Sequence, residues 1–257
     1  LFRKANNTLS AYNLASLIAI GYIDDIGEFN SLISKCKDHI DEIDVRFNKS
    51  KHRIERVIQI FNQKKKKKLY VFFDTETTGI PLDYNAPISD IDNWPRLVQL
   101  SWMITDEDGK LIKENDYIVY PKGFDIPTSS AAIHGITNEY ANKKGIDIET
   151  VLAEFIEDLK GVSLVIGHNI NFDINIVQAE LFRLGMTDIF NDKRKVCTMK
   201  SSVDFCAIPN KYGYKWPTLQ ELHQKLFGEI FTDSHNALSD IRATKRCYFE
   251  LKEKGIL

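Results

Sequence analysis

Residues 69–79 read LYVFFDTETTG. Five apolar or aromatic side chains run without interruption into Asp74, and Glu76 follows one residue later. A short unbroken apolar run closed by a turn signal predicts a strand buried on both faces, the kind found in a helix-covered sheet. On an extended segment residues i and i+2 share a face, so the carboxylates of Asp74 and Glu76 point to the same side. Like charges in a partly dry site repel each other, and burial penalises each of them. A divalent cation removes that cost. Oxygen donors without thiols or imidazoles suit Mg²⁺ or Mn²⁺ better than zinc. On this stretch alone, a turn role for Asp74 with Gly79 closing the turn stays open.

Outward from the strand, the pattern alternates. LVQLSWMIT at 97–105 is a second strand, DEDG at 106–109 a turn, and LIKENDYIVY at 111–120 the hairpin partner. IETVLAEFIEDLKG at 148–161 has helical periodicity and ends on glycine, and VSLVIGHN at 162–169 is again a buried strand. A helix over 172–184, a strand near 195–199 and helices near 200–206, 218–227 and 235–254 follow. A strand meander followed by β-α alternation predicts an α/β fold with a mixed sheet and helices on its faces.

Two later stretches bear on the acids. GHNINFD at 167–173 sets Asp173 at the mouth of a helix, directly after a buried strand, and HNALSD at 235–240 sets His235 five residues before Asp240. On one regular helix those two side chains would be about 140° apart. The spacing works better if Asp240 is helical and His235 lies at or before the first turn, from where its ring can swing toward a metal-bound water. A capping or solvated role for His235 is the alternative.

DTETTG, HNINFD and HNALSD, in that order and at these separations, resemble the DEDDh family of 3′→5′ exonucleases. These are DnaQ-like enzymes that include the proofreading epsilon subunit of bacterial DNA polymerase III. AAIHGIT at 131–137 is similar to a loop of epsilon-like members, and the likeness covers roughly residues 69–252. The resemblance implies a ribonuclease-H-like fold, with Asp74, Glu76, Asp173 and Asp240 as ligands of two Mg²⁺ or Mn²⁺ ions and His235 as general base. Thr75, with the backbone around Thr77, would meet the terminal 3′ nucleotide. Asn169 and His134 would stand at the rim, each with an ordinary structural role as the alternative. The implied substrate is the 3′ end of single-stranded or frayed DNA. RNA trimming is the alternative, and a catalytically inert nuclease-like scaffold a further one.

The 257 residues carry a net charge of −2, which does not by itself point to a nucleic-acid binder, and no phosphate-binding G-x-x-x-x-G-K-[ST] loop is present. Charge is unevenly spread, +6 over residues 1–68 and −8 over the rest. The composition breaks at KKKKK, 64–68, so the expected organisation is a helical extension over 1–63, a lysine linker over 64–68 and a catalytic unit over 69–257. Within the extension, Phe29, Ile33, Cys36, Ile40, Ile43, Phe47, Ser50, Ile54, Val57 and Phe61 follow a 4-3 alternation, a coiled-coil seam open to self-association or a polymerase partner. An amphipathic helix lying on the main unit is the alternative. The apolar run at 14–23 is too short for a membrane helix, and four scattered cysteines without a C-x-x-C pair fit a reducing cytoplasm.

Overall fold

The computed structural model describes residues 67–231 and 235–257. The chain divides after Lys67, and the unit from Lys68 to Leu257 is the one described below. The coiled-coil seam and the basic extension fall outside the described residues.

Five strands form one mixed sheet in the order β3-β2-β1-β4-β5. They are β1 (Leu69–Thr77), β2 (Leu97–Asp106), β3 (Leu111–Ile118), β4 (Val162–Gly167) and β5 (Arg194–Cys197). β1 pairs antiparallel with β2 and parallel with β4, so it is the central strand, where the two pairing modes meet. That position explains why the run Leu69–Phe73 lacks a polar alternation: both faces of β1 are covered. Val71 and Phe73 pack with Leu100 and Trp102 of β2 against helices α3 (Ile148–Leu159) and α4 (Ile170–Arg183). Tyr70 and Phe72 pack on the other face against Ile241 and Tyr248. Phe155 of α3 meets both Phe73 and Trp102 at ring distances of 5.2 Å. Fully burying one such aromatic contributes about 1.5–3 kcal/mol.

Two short helices, α1 (Thr128–His134) and α2 (Asn138–Lys144), occupy a region that the sequence reading leaves as a loop. Seven residues give too few turns for periodicity to register. What fixes them is local: Pro127 precedes α1, Gly135 ends it in the left-handed conformation, and the Thr137 hydroxyl caps α2 at the Tyr140 N–H. The helix expected near 200–206 is two single turns, α5 (Thr198–Ser201) and α6 (Val203–Cys206). A two-stranded ribbon not expected from sequence, β6 (Pro209–Asn210) and β7 (Gly213–Tyr214), precedes α7 (Leu219–Phe227). The last helix, α8 (Ala237–Glu253), lays Ile241 and Tyr248 on the sheet. Among the described residues Cys197, Cys206 and Cys247 are unbridged, and no helix is long and apolar enough to cross a membrane.

Candidate active site

The acids meet where β1 ends. Asp74 and Glu76 share the α8 face with Tyr70 and Phe72, as period-2 alternation requires. Pairing with β2 slips one residue between Glu76 and Thr77, a bulge of the sort that re-aims side chains at sheet ends. Asp240 lies in the first turn of α8. One carboxylate oxygen each from Asp74, Glu76 and Asp240 lies within 4.8 Å of the others.

Asp173 comes from the opposite layer, in the first turn of α4, and is 3% exposed. Its Oδ1 accepts both the Thr75 backbone N–H (3.0 Å) and the Thr75 hydroxyl (2.7 Å). Thr75 points away from Asp74 and Glu76, so this residue of β1 draws a carboxylate from the far layer to the strand tip. The helix carrying Asp173 starts tightly. Gly167 lies so close to Ile170 that a Cβ there would meet Ile170 Cδ1 at 2.5 Å, and Asn169 turns the chain at φ 66°. Asparagine tolerates that left-handed geometry better than most residues. No side-chain hydrogen bond of Asn169 caps the helix.

No lysine or arginine forms an ion pair with Asp74, Glu76, Asp173 or Asp240 among the described residues. Each carboxyl is therefore pushed up, chiefly by burial. Glu76 rises to about 8, with the charges of Asp240 and Asp173 adding to burial. Asp173 rises to about 7 even though Thr75's two hydrogen bonds pull it down. Asp240 rises to about 6, held back by the His235 N–H and charge. Asp74, next to all three, is raised well above the usual carboxylate range by burial and then by Asp173. The Oδ1 of Asp240 is buried and has no hydrogen-bond partner. Converging hard oxygens, an orphaned acceptor and missing positive charge fit a divalent cation.

His235 sits one residue before Asn236, whose side chain caps α8 by accepting from the Ser239 N–H. It is exposed, adopts φ 68°, and donates its backbone N–H to Asp240 Oδ2 at 3.3 Å. The cap is thus Asn236, which leaves the His235 ring free of that duty. His134, at the end of α1, is buried, and its Nδ1 accepts the Ile136 N–H at 3.1 Å. Burial lowers its pKa, opposed by the Thr77 carbonyl. Its helix is tied to the segment after the acids, since the Ser130 hydroxyl donates to the Thr78 carbonyl at 2.8 Å. Thr77 itself is buried and gives its hydroxyl to the Gly79 carbonyl.

Sequence reasoning passed over His168. Burial lowers its pKa to about 4, so the ring is neutral. With Nε2–H donated to the Pro217 carbonyl (3.0 Å), Nδ1 accepts from the Thr198 hydroxyl (3.0 Å). The ring thereby fastens the segments leading into α5 and α7 to the loop before Asp173. No local motif marks such a role, because the partners lie 30 and 49 residues away.

The Exonuclease family profile, RNase_T, matches residues 71–248, a span that holds all four acids and His235. A DNA polymerase III PolC-type protein of Pediococcus pentosaceus is 29% identical over 187 residues, covering 72% of this chain and 11% of that protein. The 3'-5' exonuclease DinG of Bacillus subtilis is 28% identical over 191 residues, 73% of this chain and 18% of that one. The chain therefore spans less than a fifth of the length of these curated relatives. Among solved structures, Escherichia coli exonuclease I in complex with a dA16 oligonucleotide superposes with a TM-score of 0.56 at 21% identity, over 73% of this chain and 41% of that one, a likeness of fold. On the family match, the chain belongs to the Exonuclease family.

Proposed function

We propose that the unit from Lys68 to Leu257 is a divalent-metal-dependent 3′→5′ exonuclease that releases nucleoside 5′-monophosphates from single-stranded or frayed DNA ends. The observation that carries this reading is the convergence of Asp74, Glu76 and Asp240 within 4.8 Å, with Asp173 alongside and no paired lysine or arginine among the described residues. DNA is favoured over RNA because the relatives include DNA polymerase III PolC-type proteins. The unbridged cysteines fit a reducing cytoplasm.

In this mechanism Asp74, Glu76, Asp173 and Asp240 would hold two ions, Mg²⁺ or Mn²⁺. Such ions supply charge neutralisation at the phosphoryl oxygens and ease departure of the 3′ oxygen. Thr75 keeps Asp173 at the strand tip through its two hydrogen bonds. His235 takes a proton from the attacking water as the P–O3′ bond breaks, a role that suits an imidazole near neutral pH. The 3′-terminal nucleotide lies along the backbone of Thr75–Thr77, with His134 and Asn169 at the rim. What supports this role for His235 is its place beside Asp240, whose Oδ2 accepts the His235 backbone N–H at 3.3 Å.

The test uses 5′-labelled DNA and RNA oligonucleotides, single-stranded and duplex, with Mg²⁺, Mn²⁺ or chelator. Ladders that shorten from the 3′ end and vanish in chelator are the expected result. Internal cuts, or cleavage that survives chelation, would overturn the reading.

A further inference from the structure

A second feature lies outside the acid cluster. Residues 209–216, PNKYGYKW, carry three large rings that the fold leaves in solvent: Tyr212 is 88% exposed, Tyr214 52% and Trp216 62%. Surface rings scattered singly need no explanation, but three within five residues form a patch. The ribbon beneath them is well built. Pro209 pairs with Tyr214 and Asn210 with Gly213, the Asn210 side chain accepts the Tyr212 N–H at 2.7 Å, and the Lys215 N–H reaches the Ile208 carbonyl at 2.9 Å. Tyr214 ends β7, and Trp216 follows it two residues on, ahead of α7.

Positive charge accompanies the rings. Lys200 Nζ lies 5.9 Å from the Trp216 ring and Lys211 Nζ 5.4 Å from that of Tyr212. Neither lysine forms an ion pair with a carboxylate among the described residues. Exposed stacking faces on a paired ribbon, with Lys211 on it and Lys200 of α5 beside it, match what single-stranded nucleic acid offers, a planar base and an anionic phosphate per step. Lys215, by contrast, is paired with Glu221. The platform is also fixed relative to the acids. Trp216 adjoins Pro217, whose carbonyl is held by His168, and His168 adjoins Asn169 at the start of the Asp173 helix.

We propose that the 209–216 ribbon is a stacking platform for single-stranded nucleic acid, gripping nucleotides upstream of the 3′ terminus. This rests on the exonuclease reading for its purpose, yet its binding half can be tested without catalysis. Trp94 and Trp102 are buried, so an exposed tryptophan signal reports mainly on Trp216.

In chelator, titration of the full chain with dT12 should quench tryptophan emission, polyglutamate should not, and Trp216→Phe should remove most of the quench. In metal, the Michaelis constant should be lower for a 12-mer than for a dinucleotide. Tyr212→Ala with Trp216→Ala should narrow that gap by about tenfold or more, in line with the worth of base–ring stacking. A wild-type chain that binds dT12 but degrades nothing would sink the exonuclease reading and leave the platform standing. Degradation with no quench and an unchanged length dependence would overturn the platform. Quenching by polyglutamate as strong as by dT12 would also overturn it, pointing to an acidic protein segment as occupant.

Discussion

Buried Glu180 and the largely half-buried acids at the tip of β1 stand on one scaffold and are treated in opposite ways. Glu180 of α4, 1% exposed, is fully matched: Oε1 meets Arg96 Nε at 2.8 Å, the Leu97 N–H at 3.1 Å and Arg183 Nη1 at 3.0 Å. Arg183 also reaches the carbonyls of Ile91 and Trp94, so this acid and its arginines lash the 78–96 loop to α4. The acids at the tip of β1 receive hydrogen bonds from Thr75 and His235 but, among the described residues, no ion pair with a lysine or arginine. Burial penalises charge in both places. One is neutralised internally and holds structure. The other is left short of positive charge, as a site that must take its cation from solution is.

The largest expected contrast is in turnover. Asp74→Asn and His235→Ala should each lower the exonuclease rate by at least 10²–10⁴-fold, the range of a positioned general base, with the fold intact by circular dichroism. Glu180→Gln should invert the pattern. Removing one partner of a buried charge pair costs about 3–5 kcal/mol, seen as an early denaturation midpoint, while the rate per folded molecule changes little. Equal losses of turnover in both variants would erase the distinction.

Thr75→Val sharpens it. The swap keeps shape and the backbone hydrogen bond but deletes the hydroxyl that holds Asp173. A loss of about 10–100-fold in metal affinity or activity is expected, as for other partners that orient metal ligands. Unchanged metal titrations would show that the backbone N–H suffices.

A smaller effect should appear in stability against pH. Unfolded carboxyls titrate near 4, whereas those of Asp240, Asp173 and Glu76 are raised to about 6, 7 and 8. A raised carboxyl favours folding below its unfolded pKa, and that advantage is lost as pH climbs through the folded one. The metal-free protein should thus lose melting temperature between pH 5 and pH 8.5, and divalent cation should restore more of it at the upper end. A flat profile with and without metal would count against the cluster.

Much of this could be read from residue order. The unbroken apolar run of β1 announced a strand covered on both faces, and the i, i+2 spacing put Asp74 and Glu76 on one side. Proline, glycine and threonine signals mark α1 and α2, but seven-residue helices have no periodicity to weigh against a loop. The long-range ties were invisible for a plainer reason. Thr75 holding Asp173, Arg96 holding Glu180 and His168 holding Pro217 span 98, 84 and 49 residues. Only the folded sheet brings those partners together, and no local pattern encodes them.

Calorimetric titration of Mg²⁺ or Mn²⁺ at pH 7, in buffers of different ionisation enthalpy, addresses the cluster itself. Carboxyls raised to about 7 and 8 are partly protonated there, so cation binding must displace protons. Saturable binding with proton release in the wild type, lost in Asp74→Asn, is the predicted result. Absence of binding, or binding that persists unchanged in Asp74→Asn, would contradict it.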